Sequence, residues 1–259
     1  MSGGGTAAKP LKAVKSILVS QPAPENGKSA FYTLRDEFKI KVDFRSFIHV
    51  EEVSAREFRK SRIYLDDYSA VILTSRNAIE NYFRMHDELR IRVSQETKYF
   101  CKSEAIALYL QKYIQYRKRK IFFGDGKYPK LIQLINKHKE KEKFLLPCSD
   151  VADPILSNLL TNENVDFTEA VLYRTVVSDL SDLSDIKYDM IVFFSPSGLD
   201  SLYKNFPDFS QDETRLAVWG NKTAAACKEH NLNVDVFAPS PESPSMTQAI
   251  KNYMKKSNL

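Results

Sequence analysis

The chain is short of the residues from which the commonest site chemistries are built. Its three cysteines, Cys101, Cys148 and Cys227, are odd in number, far apart in a chain of 259 residues and without a CxxC pair. That excludes a disulfide framework and a zinc module of ordinary ligand spacing. Free thiols in a reducing compartment are expected. The four histidines, His49, His86, His138 and His230, are scattered, so no metal site is expected. Only 8 glycines occur, with no Gly-x-x-x-x-Gly-Lys-Ser/Thr run. In Gly124-Asp-Gly-Lys-Tyr-Pro129, proline stands where the dinucleotide fingerprint needs its third glycine, and no well-placed acidic residue follows about 20 positions on. This reads as a plain turn between strand and helix, and nucleotide binding of neither standard kind is expected. No apolar run approaches the roughly 20 residues of a membrane span. The first ten residues lack the apolar stretch of a signal peptide and read as part of a flexible tail over 1–14. A cytoplasmic protein without a membrane partner is the expectation.

What is present is an ordinary globular composition, 43% hydrophobic and 27% charged, long enough for one large or two small domains. The net charge of +5 is mild and gathers in Arg117-Lys-Arg-Lys120 and in the 137–143 stretch, where lysines alternate with acids. Alternating signs mark a solvated helix end, and the broad basic stripe of a nucleic-acid binder is lacking. The balance suits an anionic small molecule.

The most informative stretch is Met190-Ile-Val-Phe-Phe-Ser195-Pro-Ser-Gly-Leu199. Its apolar run suits a strand covered on both faces, as in a parallel sheet. Ser195 beside Pro196, ahead of the Leu199, Leu202, Tyr203, Phe206 stripe, predicts an N-cap and a first-turn proline. Ser195, Ser197 and Gly198 therefore stand at the carboxyl end of a strand and the start of a helix, where α/β proteins bind anions. The design recurs in Ala70-Val-Ile-Leu-Thr74-Ser75 before a helix stripe through Ile79, Tyr82 and Phe83, making Thr74 and Ser75 candidates. Each turn is followed at nearly the same spacing by a second unit, Lys98 to Ile106 with Ser103 at its turn and Leu216 to Ala224 with Thr223. Such duplication predicts two similar α/β lobes with a cleft between them.

Further strands are expected over 16–20, 121–123 and 143–147, the last ending in a turn that makes Ser149 a candidate. Helices are expected over 29–38, 54–64, 103–113 and 155–160. Residues 41–50 and 165–177 alternate apolar and polar side chains, as two paired linking strands should. The expected division is a discontinuous lobe over 15–43 and 178–259, a continuous lobe over 50–167, and a ribbon of 44–49 and 168–177.

Five motifs, Phe193-Phe-Ser-Pro-Ser-Gly-Leu199, Val171-Leu-Tyr-Arg-Thr175, Trp219-Gly-Asn-Lys-Thr-Ala224, Leu73-Thr-Ser-Arg-Asn-Ala78 and Pro239-Ser-Pro-Glu-Ser-Pro244, resemble the uroporphyrinogen-III synthase family in its order and spacing. The resemblance spans Ile17 to Tyr253. It implies two Rossmann-like lobes with parallel sheets, joined by a two-stranded β ribbon, and a lyase that uses neither metal nor other cofactor. The implied reaction cyclises hydroxymethylbilane with inversion of ring D and loss of water, passing through an azafulvenium-like cation and a spiro intermediate. Tyr173 aligns with the tyrosine implicated in protonating the leaving group, Thr223 with a cleft threonine, and Ser195 and Ser197 with the family's hydroxyl turn. A monomer taking its substrate from hydroxymethylbilane synthase is implied as well. The alternative is a non-catalytic two-lobed binding or regulatory protein of the same fold. One departure favours it: where the family has Gly-x-x-Thr-Ala, this chain has Cys101-Lys-Ser-Glu-Ala105, placing the Glu104 carboxylate where a neutral hydroxyl is expected. Ser103 or Lys102 is then left to supply the lost donor.

Overall fold

The computed structural model describes residues 11–25, 27–115, 117–151, 154–183 and 187–257. Of the tail expected over 1–14, residues 1–10 lie outside the described residues. Val14 is fully buried in a core cluster, so the chain is already packed before its first strand.

The chain runs through β1 (Ser16–Val19), α1 (Ala30–Phe38), β2 (Lys41–Phe44), β3 (Ile48–Glu52), α2 (Ala55–Phe58), β4 (Ala70–Leu73), α3 (Arg76–Leu89), β5 (Lys98–Cys101), α4 (Glu104–Leu110) and β6 (Ile121–Phe123). It continues through α5 (Tyr128–Asn136), β7 (Phe144–Ser149), α6 (Pro154–Asn162), β8 (Phe167–Val177), β9 (Met190–Phe193), α7 (Pro196–Asn205), β10 (Arg215–Trp219), α8 (Gly220–Glu229), β11 (Val236–Ala238) and α9 (Met246–Ser257). The fold divides into two compact units, Met1–His49 with Val176–Leu259, and Val50–Thr175. The chain passes from the first unit to the second within β3 and returns within β8, and these two strands are neighbours in one sheet.

Among the described residues the first unit carries a five-stranded sheet in the order β11-β10-β9-β1-β2, with every pair of neighbours parallel. The second carries six strands in the order β3-β8-β7-β4-β5-β6, parallel from β8 through β6. The short apolar runs are strands because both faces of each are covered. In β4, Val71 and Leu73 enter one core cluster while Ala70 and Ile72 enter another. In β9, Met190 and Val192 go one way and Ile191 and Phe193 the other. Successive side chains of a strand point to opposite faces, so two clusters sandwich each sheet.

Three expectations are corrected. Residues 41–50 form not one strand but two, β2 and β3. Phe47 is the cause: it is fully buried, packs edge-on to Phe193 at 5.7 Å, and its carbonyl accepts from Ser178 N at 2.9 Å and from the Ser201 hydroxyl. The helix over 54–64 is only α2 followed by a 3₁₀ turn, because Arg62 is left-handed at φ 57°. The helix over 103–113 stops at Leu110.

In α3, His86 is 3% exposed, against Tyr82 at 4.6 Å. Its Nδ1 faces the Ile91 carbonyl at 3.2 Å, which can only accept, so Nδ1 carries the proton and the buried Nε2 has no partner among the described residues. Burial holds this imidazole below its ordinary value of 6.5, against smaller upward pulls from the Ile91 bond, Asp66 and Asp87. The unfolded ring takes up a proton more readily than the folded one. His86 therefore contributes fully above about pH 6.5, and its contribution is lost as pH falls, at no more than about 1.4 kcal/mol per pH unit. Urea unfolding at pH 7 and pH 5 is expected to show a larger acid loss for the native protein than for His86→Leu; equal losses would remove His86 as the cause.

Candidate functional site

In each unit the strand order reverses once, between β1 and β9 in the first and between β4 and β7 in the second. Ligands of open α/β sheets bind outside the carboxyl ends of the strands at such switch points. The sequence candidates are distributed about these two places.

In the second unit the carboxyl end of β4 runs into Thr74 and Ser75. Ser75 is extended at φ −149° and ψ 165°, and its Oγ accepts from Ala78 N at 3.1 Å, capping α3. The same Oγ lies 3.3 Å from the Tyr173 hydroxyl. Tyr173 reaches it because β8 pairs with β7 and slips register between Cys148 and Ser149, which sets Tyr173 opposite Ser149. Its carbonyl accepts from Asp150 N at 3.2 Å, and the Asp150 carboxylate accepts from Thr175 N at 3.0 Å. Arg174, next along, forks onto both oxygens of Glu57 on α2. The tyrosine side chain is 8% exposed. Burial pushes its phenol above the usual value near 10, the Ser75 hydrogen bond pulls it partly back, and Cys148 adds a small upward push. It is therefore protonated at neutral pH and able to donate.

Ser149 Oγ accepts from Val151 N at 3.2 Å, closing its own turn. Ser103 caps α4 without using its side chain, leaving that hydroxyl half-exposed at the carboxyl end of β5. Glu104 opens α4 and is exposed; a carboxylate in a first turn favours the helix through the positive end of its dipole. Lys102 lies over the Tyr128 ring at 4.3 Å and Arg76 over the Tyr109 ring at 5.0 Å, so two cations stand at this same end of the sheet. The Gly-x-Gly is explained by packing: a Cβ on Gly124 would sit 3.0 Å from the Lys102 carbonyl, and Gly126 has φ +92°.

In the first unit Ser195 repeats the cap, extended at φ −153° and ψ 157°, with Oγ accepting from Gly198 N at 3.3 Å and Pro196 in the first turn. Ser197 is half-exposed in that turn, while Gly198 is buried; a Cβ there would make only ordinary contacts, 3.5 Å from the Phe193 ring and 3.7 Å from Ser20 Oγ. Ser20, 7% exposed at the end of β1 across the switch point, carries no sequence signal beyond ending an apolar run. Thr223 does not cap a helix: α8 begins at Gly220 with Trp219 as cap, and Thr223 lies 1% exposed inside the first turn. The Pro239 to Pro244 stretch is a tight turn in which Ser240 and Ser243 exchange backbone hydrogen bonds at 3.0 Å, tied to α9 by Asn252.

Among the described residues no group of three His, Cys, Asp or Glu side chains could hold a metal ion. No described helix is long and apolar enough to cross a membrane.

A curated relative, the porphyrin biosynthesis protein HemD of Ruminiclostridium josui, is 26% identical over 236 residues. That match takes in 86% of this chain but 45% of the relative, so the chain spans less than half of that protein's length. Among solved structures, a mutant uroporphyrinogen III synthase from the extremely thermophilic bacterium Thermus thermophilus aligns with a TM-score of 0.59 at 15% identity, covering 93% of this chain and 99% of that one. The uroporphyrinogen-III synthetase of Helicobacter pylori aligns with a TM-score of 0.59 at 17% identity, with the same coverage of 93% and 99%. These likenesses show the fold. The family profile described as Uroporphyrinogen-III synthase HemD matches residues 32–248, most of the chain, and on that match the chain belongs to the uroporphyrinogen-III synthase HemD family.

Proposed function

We propose that the protein closes hydroxymethylbilane to uroporphyrinogen III, with inversion of ring D and loss of water. The observation that carries this reading is a protonated, nearly buried phenol, Tyr173, beside the hydroxyl turn at a sheet's switch point. In the reaction Tyr173 gives its proton to the terminal hydroxymethyl oxygen, the carbon–oxygen bond breaks, and water leaves an azafulvenium-like cation. Ring D attacks through its substituted carbon; the spiro intermediate then fragments and recloses, and the proton released on re-aromatisation restores the phenol.

The substrate is a polycarboxylate. Helix starts at Ser75, Ser103 and Ser195 supply backbone N–H groups, Thr74, Ser197 and the hydroxyl of Ser103 lie at the same strand ends, and Arg76 and Lys102 add positive charge. Each charge-assisted hydrogen bond is worth roughly 1.5–3 kcal/mol, and orientation of the folded chain supplies most of the rate. Ser149, whose hydroxyl closes its own turn, and the buried Thr223 complete the proposed set, each within its own unit. Three free, buried thiols support a reducing, cytoplasmic setting. The ready spontaneous loss of water from hydroxymethylbilane favours direct hand-over from hydroxymethylbilane synthase, and the proposed acting form is a monomer.

The purified protein is expected to consume hydroxymethylbilane faster than the buffer reaction, with a KM that rises with salt as charge attraction is screened. Consumption at the buffer rate would end the proposal. Glu104 opposes binding of a polyanion, so Glu104→Thr is expected to lower KM roughly five-fold, the equivalent of about 1 kcal/mol, with kcat little changed. An unchanged KM would mean that this carboxylate faces away from the substrate.

A further inference from the structure

Ser75 is a substrate-binding candidate by sequence, but its contacts point elsewhere. Its Oγ occupies a fixed position because it accepts the Ala78 N–H at 3.1 Å as the cap of a 14-residue helix. The hydroxyl proton is not used by that bond, and the Tyr173 oxygen lies 3.3 Å away. While Tyr173 is a phenol, either hydroxyl can be the donor. Once Tyr173 has given up its proton, its oxygen can only accept, and a nearly buried anion without a donor is costly. Ser75 is the donor in place, and the positive end of the α3 dipole lies behind it.

We propose that Ser75 is a positioning residue for Tyr173: its hydroxyl donates to the phenolic oxygen as that oxygen passes its proton to the departing hydroxyl group. The Tyr173 O–H bond breaks, the proton goes to the leaving oxygen, and water departs. Ser75 keeps its own proton, shared through the hydrogen bond, until the proton released on re-aromatisation returns to the phenolate. At 3.3 Å the contact is long for two hydroxyls, and it tightens as negative charge develops on the phenolic oxygen. The equivalent cap in the first unit sharpens the point. Ser195 Oγ accepts from Gly198 N in the same way, yet among the described residues no tyrosine hydroxyl is bonded to it. The helix cap is thus common to both units, and the phenol partner is particular to Ser75.

The inference rests on Tyr173 being the acid, and a double-mutant cycle separates the two claims. Ser75→Gly deletes the hydroxyl while glycine remains an acceptable cap residue. With the native protein as host, kcat is expected to fall roughly ten-fold with KM unchanged, the loss of one preorganised donor to a developing anion. Ser75→Thr is expected to restore most of it. With Tyr173→Phe as host, Ser75→Gly should change kcat no further, because no phenolate forms. An equal loss of kcat in both hosts, or a rise in KM with kcat retained, would overturn the role of Ser75 and leave Tyr173 as the acid. Full turnover in Tyr173→Phe alone would overturn the reading of Tyr173 and this inference with it. Melting temperatures within the range of a lost cap, together with the threonine rescue, exclude simple misfolding.

Discussion

Replacing Tyr173 by phenylalanine is expected to cut turnover about a hundred-fold while the melting temperature stays where it was. The ring remains packed in its core cluster, and only the hydroxyl beside Ser75 is removed. Ser75 keeps its bond to Ala78 N, so α3 loses nothing. General acid assistance is worth about 10² to 10⁴ in rate, and the lower end applies because hydroxymethylbilane sheds water readily by itself. The variant should still bind product and still form the inverted isomer in whatever it makes, because the proposed function assigns folding of the tetrapyrrole to carboxylate contacts and not to this proton. Steady-state kinetics and a thermal melt check the pair of expectations. Native turnover at an unchanged melting temperature would make the tyrosine a bystander.

The largest stability effect is expected at Arg84. Its guanidinium, on α3, donates through Nη2 to the carbonyls of Val53 at 3.0 Å and Leu172 at 3.1 Å. Nε donates to Asn81 at 3.1 Å and Nη1 pairs with Glu88, whose other oxygen accepts from Ala55 N at 3.0 Å. Arg84 thus fastens Val53, just past β3, and the middle of β8 to α3, while its partner Glu88 holds the start of α2. Hydrogen bonds to a charged group contribute about 1.5–3 kcal/mol each in favourable cases, and orphaned carbonyls cost more than the bonds alone. Arg84→Met is expected to lower unfolding free energy by about 3 kcal/mol in urea titrations. Arg84→Lys should recover only part of that, because an ammonium cannot span the same acceptors in a fork. Since Leu172 precedes Tyr173 on β8, kcat should fall as well. A loss below about 1 kcal/mol would show that water replaces the guanidinium without penalty.

Much of this architecture is legible in the chain because it is local. Ala70 to Leu73 and Met190 to Phe193 are too short for helices and wholly apolar, and Ser75 and Ser195 cap the helices that follow. Duplication of that unit and the family motifs point to the two-unit α/β fold that the structure has. What is not legible depends on partners distant in sequence. Nothing around Lys41 to Val50 announces that Phe47 will bury itself against Phe193 and split the stretch in two. Alternation of side chains reports which face is covered, not whether one sheet or two does the covering. The contact of Tyr173 with Ser75 joins residues 98 apart and depends on a register slip in β8, which leaves no local trace. Ser20 comes within reach of the Ser195 turn only because β1 and β9 are neighbours. Nothing local announces that α8 starts at Gly220, three residues before Thr223, and buries that threonine.

The most direct test of the account is the isomer composition of the product. Hydroxymethylbilane is given to the purified protein, the porphyrinogens are oxidised, and the type I and type III isomers are separated and compared with a protein-free control. Ring closure without inversion gives type I, and inversion of ring D gives type III, so the ratio reports whether the protein directs the attacking carbon. The account predicts type III as the dominant product with protein and type I without it. Type I alone in both samples would contradict it, whatever the protein binds.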